Sequence, residues 1–141
     1  MATTADVIRD RVASICGSSP FQFVNAVTPF DFDLQPNGQI DQVFRITCES
    51  DEVIGGMNFS EERTDRVEIW VARKQAGTPD QMYRALLTDA SSMRAAVIRD
   101  GCQNGGDYTV PDGTTYAIDH QDGLEYAVLR LTVPVNYEAE V

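Results

Sequence analysis

The sequence predicts a single α+β domain whose mostly antiparallel sheet is covered by one long helix and one short N-terminal helix. The strongest pattern lies in residues 115–137, where two strand-forming runs flank the turn Asp122-Gly123, as is typical of a β-hairpin. Residues 65–75 alternate between apolar and polar side chains, which indicates a further strand. Residues 79–99 instead repeat apolar side chains at helical spacing.

The length and composition of the chain favour one soluble domain. With 43% hydrophobic residues, residues 1–141 are expected to form one core. No apolar run approaches the ~20 residues that cross a bilayer. The first residues lack a basic segment followed by an apolar one, so we expect a protein that is neither exported nor bound to a membrane. The three cysteines, Cys16, Cys48 and Cys102, are far apart, which favours buried free thiols over a disulfide framework or a zinc site.

Charge is distributed unevenly along this acidic chain, whose net charge is −11. Residues 20–62 contain eight acids and one base, and residues 101–141 contain seven acids and one base. Residues 63–100 carry seven bases and five acids. Phosphate binding needs clustered bases, and only Arg73 and Lys74 are adjacent. We therefore expect no binding of nucleic acid; the alternative for the acidic excess is that it only keeps the domain soluble.

In chain order, the first predicted element is a short helix. Thr3 or Thr4 can cap it, and Gly17 ends it. Its apolar stripe consists of Ile8, Val12 and Ile15.

Residues 30–49 are predicted to form a second β-hairpin. Residues 30–34 alternate between apolar and acidic side chains, a Pro-Asn-Gly turn follows, and residues 41–49 alternate again. This pattern puts Asp31 and Asp33 on the same face of the first strand.

Residues 50–64 lack a clear period and contain Gly55-Gly56 among polar side chains. Loops of this length in a compact domain are usually functional or mobile. We expect a contact surface here that is mobile in the free subunit and ordered by a neighbour. A flexible excursion without a role is the alternative.

The strand predicted at residues 65–75 has one apolar face and one mixed face. The apolar face comprises Val67, Ile69 and Val71, and the mixed face comprises Glu68, Trp70 and Ala72. Because charged residues neighbour Trp70 in the sequence, we expect its side chain to be partly exposed and to anchor an interface.

The segment Thr78-Pro79-Asp80-Gln81 is a strong helix start, with Thr at the N-cap and Gln as its capping-box partner. The helix should run to residue 99, with a kink or break within the polar residues 88–92. Its apolar stripe consists of Met82, Leu86, Ala90, Met93 and Val97.

The last predicted strand contains Pro134. Because proline cannot donate a hydrogen bond to a neighbouring strand, we expect this strand to be weakened or to lie at an edge of the sheet.

Catalytic residues are not evident, and we expect a protein that is not an enzyme and needs no cofactor. His120 lacks a Ser or Cys nucleophile in a suitable context. Asp31 and Asp33 offer too few ligands for calcium, so a solvated acidic strand face is the preferred interpretation. The alternatives from other functional classes are a metal-dependent enzyme that uses Asp31 and Asp33, and a small acidic binding module.

Four segments together point to a known family. They are a short helix at residues 7–15, the strand Val-Glu-Ile-Trp-Val-Ala-Arg at residues 67–73, a helix at residues 79–99, and the closing run Tyr-Ala-Val-Leu-Arg-Leu-Thr-Val-Pro-Val-Asn-Tyr at residues 126–137. In this plan the chain resembles the tail terminator proteins of long-tailed bacteriophages, which are ring-forming structural proteins of the virion.

The resemblance implies a homohexameric ring that ends the phage tail tube and joins it to the head. Its partners would be the tail tube protein and the head-completion or connector protein, and DNA would pass through an acidic lumen without specific binding. The resemblance places the protein in the tail or neck of the virion, after assembly in the host cytoplasm. Another connector ring of the neck is the alternative within the same class.

Segregated charge and Trp70 suggest where the subunits of such a ring would meet. A heterologous ring needs two different complementary patches, which the basic segment 63–100 and its acidic flanks can supply. The expected interface residues are Glu61, Glu62, Arg66, Trp70, Arg73 and Lys74. The residues expected to line an acidic lumen or a solvated face are Asp31, Asp33, Asp51 and Glu52.

Overall fold

Three strands of fifteen residues each form the centre of the fold. The computed structural model describes residues 4–32, 40–57, 59–103, 108–119 and 126–140. Within these ranges the elements in chain order are α1 (Ala5–Gly17), β1 (Val24–Asn25), β2 (Val43–Met57), β3 (Ser60–Lys74), α2 (Pro79–Gln103), β4 (Tyr108–Thr109), β5 (Thr115–Asp119) and β6 (Tyr126–Glu140). The predicted α+β class with a mostly antiparallel sheet is confirmed.

The long strand β3 lies at the middle of the sheet, with β2 on one side and β6 on the other. The short β1 runs parallel to the start of β2. On the far edge of β6, β5 pairs with residues 128–132 and β4 pairs with residues 136 and 137. The two strands of the hairpin predicted at residues 115–137 are therefore present as the antiparallel pair β5 and β6, whereas the predicted turn Asp122-Gly123 lies outside the described residues. Only β6 is central, however, and β5 lies at the edge.

The expectation that Pro134 makes β6 an edge strand is wrong for the strand as a whole, because β6 pairs with β3 along its whole length and with β5 and β4 on its other side. On its other edge, Pro134 falls between the stretch paired with β5 and the stretch paired with β4. A residue without an N–H thus occupies a position where the hydrogen-bond ladder of that edge is already interrupted.

The first helix packs on one face of the sheet and has the predicted cap. The Thr4 hydroxyl accepts a hydrogen bond from the N–H of Val7 at 3.3 Å. The buried residues of α1 are Ile8, Val12 and Cys16. Cys16 takes the place of Ile15 in the predicted stripe, because Ile15 is only half-buried.

The thiols agree in part with the prediction of buried free cysteines. Cys16 is free and buried, and burial raises its pKa to about 12. This thiol therefore stays protonated and unreactive near neutral pH. Cys48 is free and half-buried, whereas the side chain of Cys102 lies outside the described part of the chain.

The second helix is continuous over 25 residues, so the expected break within residues 88–92 is wrong. The predicted capping box is present, with a Thr78 N–H to Gln81 Oε1 distance of 3.0 Å and a Gln81 N–H to Thr78 Oγ1 distance of 3.2 Å. The Thr88 hydroxyl donates to the carbonyl of Arg84 at 3.0 Å, so the helix itself accommodates this polar side chain. The predicted stripe is buried and consists of Met82, Leu86, Ala90, Met93 and Val97.

The first strand of the hairpin predicted at residues 30–49 is not found in the described part, because residues 26–32 form no strand. The short β1 precedes them and is parallel to β2, which a hairpin would not allow. Residues 33–39, which include Asp33, lie outside the described ranges.

Residues 26–32 instead pack against the sheet face opposite the helices, which we call the open face. The Arg45 guanidinium donates a hydrogen bond to the Pro29 carbonyl at 3.0 Å. Phe32 is buried against this face, whereas Phe30 is exposed. The alternation in the sequence therefore reflects one packed aromatic side chain and not a strand.

Residues 50–64 form the outer part of a long β2–β3 hairpin, and the loop expected there is wrong. Backbone pairing continues to the pair Met57–Ser60. The register shifts between residues 48 and 51 and again between residues 53 and 55. Such bulges interrupt the period of two that marks a strand in a sequence. We call residues 52–62 the hairpin tip; within it, residue 58 lies outside the described ranges.

Gly56 allows the two strands to approach each other next to the hairpin turn. Its φ is +148°, and a Cβ atom there would lie 2.6 Å from the carbonyl oxygen of Ser60. The Gly56→Ala variant is therefore expected to lower the free energy of unfolding by about 1–3 kcal/mol, measured by urea denaturation. Gly55→Ala is the control, because an added Cβ meets only the Glu62 side chain, with the flexible carboxylate nearest at 3.4 Å. An equal decrease in the free energy of unfolding for Gly56→Ala and Gly55→Ala would contradict the steric explanation.

Candidate subunit interface

Trp70 lies on the open face between two arginine side chains from the neighbouring strands. Strand pairing places Arg45 of β2 and Arg130 of β6 directly opposite it. The Arg45 Cζ atom lies 3.9 Å from the centroid of the indole ring, and the Arg130 Cζ atom lies 5.6 Å from it. The indole N–H donates to the Thr47 hydroxyl at 3.2 Å. The polar atom of this half-buried tryptophan is therefore satisfied, and its ring interacts with two cations.

A cleft of about 410 Å³ opens around this group, and we call it the open-face cleft. Besides Trp70 and the two arginines, its lining includes Asp31, Phe32, Asp119 and Tyr126. The Arg45 guanidinium also lies 5.2 Å from the Phe32 ring, so it connects the segment 26–32 to the sheet. With two arginines and two aspartates in its lining, the cleft carries no net charge on a protein of charge −11.

The hairpin tip exposes apolar and acidic side chains together. Phe59 is 83% exposed, and Val53 and Ile54 are about half exposed. Residues 52–62 contain three acids and no base. The tip is therefore an acidic surface with exposed apolar side chains.

Exposed apolar side chains occur at both ends of β2. Near its start, where β1 pairs with it, Val24, Val27 and Phe30 are exposed. Near its end lie the exposed side chains of the hairpin tip. Exposed apolar patches mark sites of interaction with other molecules, so both ends of β2 are candidate contact surfaces.

The six residues expected at the interface do not share one surface, because β3 turns alternate side chains to opposite faces. Glu62, Arg66, Trp70 and Lys74 lie on the open face, whereas Glu61 and Arg73 lie on the helix face. Glu61 pairs with Arg63 of its own subunit at 2.7 Å.

Arg73 also contacts residues of its own subunit. Its Nε and Nη2 atoms donate to the two Asp89 carboxylate oxygens of α2 at 2.6 and 2.8 Å, and its Cζ atom lies 5.4 Å from the Phe23 ring. The hydrogen bonds with Asp89 raise the pKa of Arg73. Arg73 therefore fixes α2 to the sheet.

The acidic residues expected on a lumen or solvated face do not share one surface where the structure describes them. Asp31 lines the open-face cleft, and Glu52 is exposed on the hairpin tip. The backbone of Asp51 pairs with Asp65, but its side chain, like all of Asp33, lies outside what the structure describes.

A metal site is not seen among the described residues, where no group of three or more His, Cys, Asp or Glu side chains could hold an ion. His120 lies outside these residues. None of the described helices is long and apolar enough to span a membrane.

Sequence analysis does not identify Arg45, Arg130 and Phe32 as parts of this surface. In its own strand each arginine alternates with buried apolar residues, which indicates only that it faces away from the core. Their position beside Trp70 depends on strand register, which the sequence does not specify by itself. A scan against protein-family models and a search among curated proteins found no match to this chain.

Proposed function

We propose that the chain is a structural protein of a long-tailed bacteriophage, whose copies form a ring that ends the tail tube and joins it to the head. The observation that carries this proposal is the pair of different surfaces near opposite ends of β2, the hairpin tip and the open-face cleft. A contact between two different surfaces is heterologous, and repeating it closes into a ring when the rotation between subunits permits.

The separation of the two surfaces supports association between copies. On β3, ten residues separate Ser60 from Trp70, so the hairpin tip and the open-face cleft are on the order of 30 Å apart along the strand. The hairpin tip of one subunit therefore cannot reach the open-face cleft of the same subunit. A second copy has both surfaces available.

The charge of the chain is compatible with a ring through which DNA passes. A subunit of net charge −11, with acids in its hairpin tip, repels phosphate and has few clustered bases to retain it. In this proposal the tail tube protein and the connector protein bind the two sides of the ring, in the neck of the virion. The ring itself assembles in the host cytoplasm.

Two other functions remain as alternatives. A different connector ring of the neck would use the same subunit contact and differ only in its position on the virion. A small acidic binding module is favoured by a separate observation, because the open-face cleft of about 410 Å³ places an indole ring between two guanidinium groups.

Light scattering and negative-stain images of the purified protein test the proposal. We expect a mass of about six times 15.6 kDa and closed rings that cap the ends of added tail tubes. Salt at about 1 M, where the Debye length is roughly 3 Å, should slow association more than it lowers final stability, because charge mainly guides the encounter. Rings on a head vertex would favour the connector function. A mass of 15.6 kDa at every concentration would favour the binding module and contradict both rings.

A further inference from the structure

We infer that the hairpin tip of one copy docks into the open-face cleft of the next copy. This inference rests on the proposed ring and names the contact that builds it. The two surfaces that meet are the acidic, apolar residues 52–62 and the cleft around Trp70.

The hairpin tip has the chemistry of an inserted element. Phe59 is 83% exposed in the turn, and the half-exposed Val53 and Ile54 lie on the adjoining strand. Glu52 and Glu62 are exposed further along the two strands of the same tip. An exposed aromatic side chain therefore lies at the end of an acidic hairpin.

The open-face cleft has the complementary chemistry. Its apolar lining comes from Phe32, Trp70 and Tyr126, so an incoming Phe59 ring would contact other aromatic rings. Arg130 is exposed, and the interaction that the structure records for it is with the Trp70 ring. Its guanidinium is thus available to an arriving carboxylate of the hairpin tip.

Charge also selects the orientation of the docked hairpin tip. Asp119 of β5 pairs with Val128, two residues before Arg130 on β6, so Asp119 and Arg130 lie on the same face of the sheet. The Asp119 carboxylate repels an acidic tip, whereas the exposed Arg130 attracts it. The carboxylates of the tip should therefore meet Arg130, with the tip oriented away from Asp119.

Fluorescence of Trp70, the single tryptophan of the chain, reports on this contact directly. We expect the wild-type emission to change with protein concentration as the ring forms. Phe59→Ala should raise the dissociation constant about tenfold or more, because truncation of a central aromatic anchor usually has an effect of that size. Tyr83→Ala removes a half-exposed aromatic residue on the helix side and is the control that should associate as wild type does.

A mixing experiment separates this contact from any other. Arg130→Glu leaves the hairpin tip intact and makes the open-face cleft acidic, while Phe59→Ala leaves the cleft intact. Just above the wild-type dissociation constant, a contact weakened about tenfold is largely dissociated, so each variant alone should be mostly monomeric. An equimolar mixture at this concentration should form dimers of twice 15.6 kDa and nothing larger, since one intact tip and one intact cleft remain per pair. Arg94→Glu, the same charge reversal at an exposed residue of α2 outside the cleft lining, should still form rings. Unchanged thermal unfolding of the monomers shows that the variants are folded.

The outcomes distinguish this inference from the proposed function. Rings that persist in Phe59→Ala, or a mixture that stays monomeric while the wild type forms rings, would overturn the docking contact and leave the ring. Wild-type association into open filaments that Phe59→Ala abolishes would support the contact and overturn the closed ring. A wild-type protein that stays monomeric would overturn both.

Discussion

Replacing Asp89 with alanine is expected to lower the free energy of unfolding by about 3–5 kcal/mol, because it leaves the Arg73 guanidinium without its carboxylate partner in a largely buried site. The two side chains are 22% and 7% exposed for Arg73 and Asp89, and both carboxylate oxygens accept hydrogen bonds. Urea denaturation followed by circular dichroism measures the loss.

The matched control is Asp80→Ala in the same helix. Asp80 pairs with Arg84 at 2.8 Å, but these side chains are 71% and 77% exposed. Exposed ion pairs of this spacing contribute about 0.3–0.5 kcal/mol, so Asp80→Ala should lower the free energy of unfolding by about that amount. Loss of the acidic side chain near the start of the helix adds only a small further decrease. Similar losses in the two variants would show that burial does not decide the strength of the Arg73–Asp89 pair.

The Arg73–Asp89 pair also shows where sequence reasoning reaches its limit. Within the helical pattern, Asp89 is a polar residue next to the buried stripe, and we expected it to weaken the helix. Its partner lies on β3, and no local pattern connects a strand residue with a helix residue across the core. Arg73 is assigned to an interface on charge alone, whereas its geometry fixes it inside the subunit.

Elements in which apolar or capping residues recur at regular spacing are predicted well from the sequence. The capping box of α2, the buried stripe of α2 and the β5–β6 strand pair follow from spacing alone, and all three are confirmed. The hairpin tip was missed for a physical reason, since two register shifts break the alternation that would have indicated strands. At Phe32 the error was the opposite one, because a strand was predicted where the chain is irregular. Phe32 is a single buried aromatic residue, and next to polar neighbours it produces the same alternating pattern as a strand.

The candidate interface was predictable only at Trp70. Alternation along β3 places Trp70 on the face away from the helices, which the structure confirms. The two arginines beside it come from β2 and β6, and only the register of three long strands brings them together. A surface built across strands therefore requires the structure, whereas a surface built along one strand can be recognised in the sequence.

A pair of isoleucine variants separates the fold from the proposed assembly. Ile69 is 0% exposed in the middle of β3, between Ile46 and Leu131 of the neighbouring strands, and Ile54 is 49% exposed on the hairpin tip. Ile69→Ala should lower the free energy of unfolding by about 3–5 kcal/mol, because it removes buried contacts and leaves a cavity beneath the helices. Ile54→Ala, the same chemical change, should alter the unfolding of the monomer by only about 0.5 kcal/mol.

The two variants should affect the association of subunits in the opposite order to their effect on monomer stability. With Ile54→Ala the loss should appear in the dissociation constant of the ring, measured by sedimentation at several concentrations, because the side chain is buried only when another copy covers it. A destabilised Ile69→Ala subunit that remains folded keeps both surfaces and should associate as wild type does below its unfolding temperature. If Ile54→Ala left association unchanged while Phe59→Ala weakened it, the contact would involve the turn of the hairpin and not the strand beside it. If Ile54→Ala destabilised the monomer as much as Ile69→Ala does, its side chain would belong to the core of the subunit, and the hairpin tip would not be a free surface.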